Sequence, residues 1–313
     1  MKVIDYEQIK KLNISYEEYY NWAKEVLFLK RECQLPPKIS MKKENHIFIN
    51  VMPSIMDPIA TAGVKIVSRY PNRKPSLDSQ ILLYDSLSGE CLAILDGNII
   101  TAYRTAAVAN IAINELANID YTTIAIIGLG NIAYATMNIL KTKINKKVTI
   151  KLYKYKNQEE RFINYFQNNK NLEFHVVNTY EELIKDSDVI ISCVTSIDVN
   201  FGEDDWYKDG CLVVPIHTLG FQNCDLFFDK FIVDDINHVK NFKYFNQFKE
   251  VHELADVLKN KKLGRSNSKE KMIAYNIGNS IFDVFFAKKI YDLLKDKETV
   301  NIDLKPPKEK FWI

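Results

Sequence analysis

What the chain lacks narrows its class first. Nowhere in its 313 residues is there a run of 18 apolar side chains, so no membrane-spanning helix is expected. The five cysteines, Cys33, Cys91, Cys193, Cys211 and Cys224, stand singly, with no C-x-x-C pair. An odd, scattered set argues against a disulfide framework and has no zinc-ligand spacing, so no metal is expected. Neither sign of charge is in excess: 42 Lys and Arg face 40 Asp and Glu. That balance gives no electrostatic reason for nucleic acid or an anionic membrane as a partner. The first residues, "MKVIDYEQIKKLN", carry charge from the start and form no apolar signal core. Unpaired cysteines and no signal core lead to a cytoplasmic expectation. Internal repeats and low-complexity tracts are absent too. What is there is an ordinary globular composition, 47% hydrophobic and 26% charged, in a length that suits two domains.

The first third mixes elements. "SYEEYYNWAKEVLFLKREC" opens on Ser15 with Glu18 three residues on, the spacing of a capping box, so a helix is expected from there. "HIFINVMPS", "AGVKIVSRYP" and "SQILLYDSLSGECLAILDG" read as strands, the last a hairpin turning at Ser86 to Gly89. A helix carrying Arg104 follows, to about Asn118. From Thr122 onward apolar strands alternate with helices, the pattern of a parallel α/β sheet. The last part, "HELADVLKN" and then "SKEKMIAYNIGNSIFDVFFAKKIYDLLKDK", is expected to be helical, the second as one long helix.

"IAIIGLGNIA" is a G-x-G-x-x-A fingerprint at Gly128, Gly130 and Ala133, placed between a strand and a helix. The first glycine allows the tight turn. The second lets backbone approach a pyrophosphate. The alanine lets helix pack closely on strand. Asn131 and Ile132, which open the helix, belong to the same dinucleotide site. The next strand should end in an acid if NAD(H) is bound, to hold the ribose hydroxyls. It ends "IKLYKYKNQEE", with Lys154 and Lys156 around Tyr155. A basic strand end suits a 2′-phosphate, so NADP(H) is favoured, with NAD(H) as the alternative. In a lysine-rich chain the same lysines also read as a solvated loop.

In "DGNIITAYRTAAVANIA" one cation, Arg104, stands among small apolar residues. A guanidinium cannot shed its charge, and burying it unpaired costs several kcal/mol. It must face an anion. From these residues alone that anion is either a ligand carboxylate or an Asp or Glu of the chain.

"AGVK", "SGECLAILDGNIITAYRTAAVANIA", "IIGLGNIA" and "GNSIFD", in this order, resemble the ornithine cyclodeaminase/mu-crystallin family, from about Pro36 to Asp283. The resemblance implies a homodimer. It implies a Rossmann-type parallel-sheet domain, 118–277, inserted into an α+β substrate-binding and dimerisation domain, 1–117 plus 278–313. It also implies NAD(H) or NADP(H) and chemistry at the Cα–N bond of a small amino or imino acid. Arg104 matches the arginine that grips the substrate carboxylate, and Lys65 of "AGVK" the active-site lysine beside it. Lys38 stands where many members place a further carboxylate-binding arginine. Thr195, Asn276 and Gly278 are counted with the cofactor-binding residues. For Lys65, in an apolar strand, a cation snorkelling to the surface is the other reading.

One segment departs from the pattern. Members of the cyclodeaminase type carry an aspartate, the acid/base, after a glycine and a small residue. Here "TLGFQNCDLF" puts Gln222 at that place, and about three residues are missing. Asp225 or His217 could supply the proton chemistry if the loop is re-routed. Without such a group, hydride delivery to a preformed imine demands less of the protein than deamination with cyclisation. The expected function is therefore imine reduction, amino-acid dehydrogenation or an ornithine-cyclodeaminase-like reaction. A cofactor-bound binding protein of the mu-crystallin type is the alternative.

Overall fold

The computed structural model describes residues 1–304, except 195, 196 and 198, together with residue 309. The chain divides into two compact units, each built on an eight-stranded sheet. No helix among the described residues is long and apolar enough to cross a membrane.

The first unit comprises Met1–Ile14, Glu32–Thr101 and Ser280–Ile313. It opens with β1 (Lys2–Ile4) and the short helix α1 (Tyr6–Lys11). Then come β2 (Cys33–Gln34), β3 (Ile39–Lys43), β4 (Ile47–Met56), β5 (Thr61–Arg69), β6 (Leu77–Asp85) and β7 (Cys91–Asp96). β4 to β7 form an antiparallel meander, and the edge is extended by β1 and by Val300–Asn301. The expected hairpin is present. Asp85 accepts the N–H groups of Leu87 and Ser88, and Gly89 takes φ 74°, so the turn is fixed by local chemistry. β5 alternates as a one-sided strand should: Thr61, Gly63, Lys65 and Val67 are buried, while Ala62 and Val64 are half-buried and Ile66 is exposed. The helix Ser280–Leu294 covers the buried face. A Cβ on Gly63 would come within 2.7 Å of Val284 Cγ2 and 2.8 Å of the Leu82 carbonyl, so this close approach needs glycine.

The second unit comprises Ser15–Arg31 and Ala102–Asn279. Its first helix, α2 (Tyr16–Leu29), starts at the expected capping box: the Ser15 hydroxyl accepts the Glu18 N–H and Glu18 accepts that of Ser15. α3 (Asn98–Leu116) carries Arg104, and the division between units falls within it. The sheet contains β8 (Thr123–Ile127), β9 (Val148–Tyr153), β10 (Leu172–Val177), β11 (Val189–Ser192), β12 (Leu212–Pro215), β13 (Lys230–Val233), β14 (Val251–Glu253) and β15 (Met272–Tyr275). α4 (Asn131–Leu140) follows β8, and α5 (Gln158–Phe166) follows β9. The strands are parallel, in the order β10-β9-β8-β11-β12-β15-β13-β14. The chain winds outward from β8 through β9 to β10, then returns to β11 on the other side of β8. The reversal leaves a crevice at the carboxyl ends of β8 and β11, where ligands bind in open α/β sheets.

One expected element is corrected. The segment from Ser268 to Lys297 is not one helix: Met272–Tyr275 is β15, between β12 and β13, and the helix begins only at Ser280. All four residues of β15 are buried, so the strand shows no alternation, and such a run looks like a turn of buried helix in sequence. Gly278, at φ 87°, separates the two elements.

Candidate functional site

In the second unit, side chains gather at the carboxyl ends of the parallel strands. Gly128 follows β8 at φ 82°, and a Cβ there would lie 2.9 Å from the Cys193 carbonyl carbon and the Val194 nitrogen. Both the backbone conformation and the approach of the segment after β11 require glycine. Gly130 is different. It is the N-cap of α4 with extended backbone, and nothing lies within 4 Å of where its Cβ would be. No side chain caps this helix start. The result is an open cradle at the positive end of a helix, with backbone N–H groups of the first turn facing it, a fit for a pyrophosphate. Asn131 is exposed at the mouth, Ile132 is half-buried, and Ala133 is buried. Thr195 lies outside the described residues.

At the end of β9, Lys154 and Lys156 are exposed. An acid missed in the sequence stands close by. Glu159, in the first turn of α5, is 2% exposed and accepts the Tyr155 N–H at 3.2 Å. It comes from the helix rather than the strand end, and its oxygen is turned to the backbone of the lysine loop.

Arg104 is 5% exposed. Its guanidinium lies directly on Gly278: a Cβ there would fall 2.1 Å from Nη1 and 3.0 Å from Cζ. The Gly278 N–H donates to Asp234 Oδ2. Asp234 follows β13 and also meets His238 Nδ1 at 3.3 Å. Burial opposes the charge of Asp234, but His238, the Gly278 N–H and Lys30 outweigh it and hold the carboxyl below the usual range. Lys30, itself buried, bridges Asp235 at 3.1 Å and Glu253 at 2.9 Å and donates to the Asp234 carbonyl at 2.6 Å. Asn276 is fixed by its N–H on the Pro215 carbonyl at 2.9 Å and its Nδ2 on the Ala274 carbonyl at 3.0 Å.

In the first unit, Lys65 Nζ lies 2.9 Å from both carboxylate oxygens of Asp283. The two side chains are 1% and 0% exposed, which excludes a lysine that snorkels to the surface. Asp283 is a second residue the sequence reading missed, although "GNSIFD" contains it. Lys38 is exposed, between β2 and β3.

The two candidate proton-transfer groups both have partners inside the second unit. His217, just beyond β12, takes the Leu219 N–H on Nδ1 at 3.1 Å, so its proton sits on Nε2, 2.7 Å from Ser192 Oγ. Burial lowers the pKa of its ring to about 4, so the ring is neutral at physiological pH. Asp225 is 1% exposed and accepts the Tyr275 hydroxyl at 2.8 Å; burial pushes its carboxyl up to about 7 against the effect of that hydrogen bond. Gln222 is half-buried at the start of the 3-10 turn Gln222–Cys224.

The profile of the ornithine cyclodeaminase/mu-crystallin family matches residues 6–298. A Delta(1)-pyrroline-2-carboxylate reductase of Bacillus cereus is 25% identical over 264 residues, covering 77% of this chain and 80% of that protein. The Thermococcus litoralis Delta(1)-pyrroline-2-carboxylate reductase, solved in complex with NADH and L-proline, superposes with a TM-score of 0.85 at 23% identity, over 96% of this chain and 100% of that one. An archaeal alanine dehydrogenase dimer with bound NAD gives a TM-score of 0.85 at 23% identity, over 97% and 99%. At these identities the structural likeness shows the fold.

Asp225 generates a test of its own. Between about pH 4 and pH 7 the folded chain keeps a proton on Asp225 that the unfolded chain has released, so this group's contribution to stability falls as pH rises through that window. Asp225→Asn removes the titration. The melting temperature of the variant relative to the unmodified protein should rise by several degrees between about pH 5 and pH 8. A difference that stays flat across that range in paired thermal melts would show that Asp225 titrates as an ordinary carboxylate.

Proposed function

The chain belongs to the ornithine cyclodeaminase/mu-crystallin family, and from that premise we propose that it is an NAD(P)-dependent enzyme acting at the Cα–N bond of a small amino or imino acid. The observation that carries the reading is the buried guanidinium of Arg104 on Gly278, beside the carboxyl ends of a sheet whose first turn is an open glycine cradle. A planar guanidinium matches a planar carboxylate through two parallel N–H···O bonds, which fixes Cα in place. The family resemblance implies a substrate-binding role for Lys65 and Lys38 as well. Positive charge beside a C=N bond also favours arrival of a hydride at Cα. The nicotinamide, when bound, supplies or takes that hydride.

Within this reading the reducing direction fits best. An iminium arrives already protonated. Hydride addition at Cα then gives the amine with no proton supplied by the protein. His217 and Asp225, the two expected proton-transfer groups, are both engaged with neighbours in the second unit, which supports a reaction that needs neither. The solved relatives carry NADH or NAD. For this chain NADP(H) is the proposed preference, on the exposed Lys154 and Lys156 at the end of β9.

The proposed assembly is a homodimer. The meander of the first unit buries one face under its helix. The opposite face presents Val64, Ile66, Leu82, Tyr84, Leu92 and Ile94, half-buried or exposed, an apolar surface suited to a second copy.

Three measurements check these readings. Arg104→Lys keeps the charge but loses the two-pronged geometry, so kcat/KM on a panel of cyclic and linear imino acids should fall by about 30- to 1000-fold, with dinucleotide affinity nearly unchanged. A nicotinamide signal that shifts on ligand addition, without oxidation for any member of the panel, would replace the enzyme with a non-catalytic binding protein. Lys154→Glu should lower NADPH affinity by about tenfold relative to NADH; tighter NADH binding by the unmodified protein removes the NADP(H) preference. Light scattering at micromolar concentration should give twice the chain mass of 36.4 kDa, and a monomer mass would refute the dimer.

A further inference from the structure

Asn279 is 1% exposed, and neither Oδ1 nor Nδ2 has a hydrogen-bond partner among the described residues. It is the one side chain among them with two such atoms. The contrast with other buried carboxamides is direct: Asn110 donates to the Ala106 and Thr136 carbonyls, and Asn276 to that of Ala274. A carboxamide offers two donors and an acceptor, and leaving them unmet in a dry place costs stability. Position deepens the anomaly. Asn279 immediately precedes the helix Ser280–Leu294, where an asparagine ordinarily caps the first turn with its oxygen, and here that oxygen caps nothing. It also immediately follows Gly278, the residue on which the Arg104 guanidinium lies.

We propose that Asn279 is a substrate-binding residue that receives the head of the amino or imino acid beside Arg104, with Nδ2 donating to the carboxylate and Oδ1 accepting from the substrate N–H. The inference rests on the proposed function and adds to it the residue that holds the nitrogen. The chemistry is complementary. An α-amino or α-imino acid presents an acceptor oxygen and an N–H donor side by side across one Cα. A carboxamide presents a donor and an acceptor side by side in return. Asn279 can hold a protonated nitrogen but cannot give or take its proton, which agrees with an iminium that binds already charged. It also sets a selection rule: an acid of the same shape without the α-nitrogen leaves Oδ1 unmet and is discriminated against.

The test uses the full chain saturated with reduced cofactor and three ligand pairs: L-proline against cyclopentanecarboxylate, L-alanine against propionate, and L-ornithine against δ-aminovalerate. Calorimetry should show that at least one amino acid binds about tenfold or more tighter than its partner lacking the α-nitrogen. Asn279→Leu should bring that preference to within about twofold, with a melting temperature equal to or above that of the unmodified protein. Asn279→Asp keeps the acceptor and loses the donor, so it should keep the nitrogen preference while both members of the pair weaken. Arg104→Lys should weaken both members alike. Full preference retained in Asn279→Leu overturns the assignment and leaves the proposed function standing. A melting temperature lowered by several degrees in Asn279→Leu also overturns it, because the amide would then have a structural partner. If the unmodified protein binds neither member of any pair, the proposed function falls and the assignment falls with it.

Discussion

A carboxylate almost without water around it, Asp234, sets the geometry on which the candidate site depends. One oxygen takes the Gly278 N–H and the other meets His238, while the Asp234 N–H donates to the Tyr275 carbonyl at 3.2 Å. These bonds tie the end of β13 to the end of β15 and fix the turn that follows. Gly278 is thereby held at φ 87°, flat enough for the Arg104 guanidinium to lie against it. Asn279, one residue later, inherits its placement from the same turn. The buried Lys30, with Asp235 and Glu253, continues the charged lattice beneath the site. A few buried ions thus give this turn a rigid polar support.

Local chemistry was legible in the sequence, and distant pairing was not. The capping box at Ser15, the hairpin at Ser86 to Gly89 and the glycine turn after β8 each depend on residues within a few positions of one another. Lys65 and Asp283 are 218 positions apart, and nothing in either strand or helix alone names the other as partner. Glu159 does not stand at the strand end where a ribose-binding acid is expected, because it reaches the lysine loop from the next helix. β15 carries no strand signal because a strand covered on both faces loses the alternation that identifies strands. Asn279 carries no sequence signal of its own. Its meaning lies in bonds it does not make, which only a folded structure reveals.

The loop after Gly220 shows how packing can redirect chemistry. Gly220 adopts φ 96° against the ring of Phe201, and Phe221, Cys224 and Phe228 are all buried. This aromatic-rich segment is drawn into the hydrophobic core with Phe201, Tyr207 and Tyr275. Asp225 travels inward with its neighbours and spends its bond on Tyr275 rather than on the mouth of the crevice. An acid held inside the core in this way is set apart from solvent.

The strand order of the second unit also bears on how the chain is made. β15 lies between β12 and β13, though it is the last of the eight strands to leave the ribosome. β13 and β14 can pair with each other, but they have no route to the rest of the sheet until residue 275 has emerged. Val300–Asn301 imposes a similar wait on the first unit, since it pairs with β1 from the opposite end of the chain. During synthesis the exposed edge of β12 is therefore a standing invitation to wrong partners. A nascent chain of this topology gains from a chaperone, or from rapid synthesis beyond β14, in a way that a sheet with strands in sequential order would not.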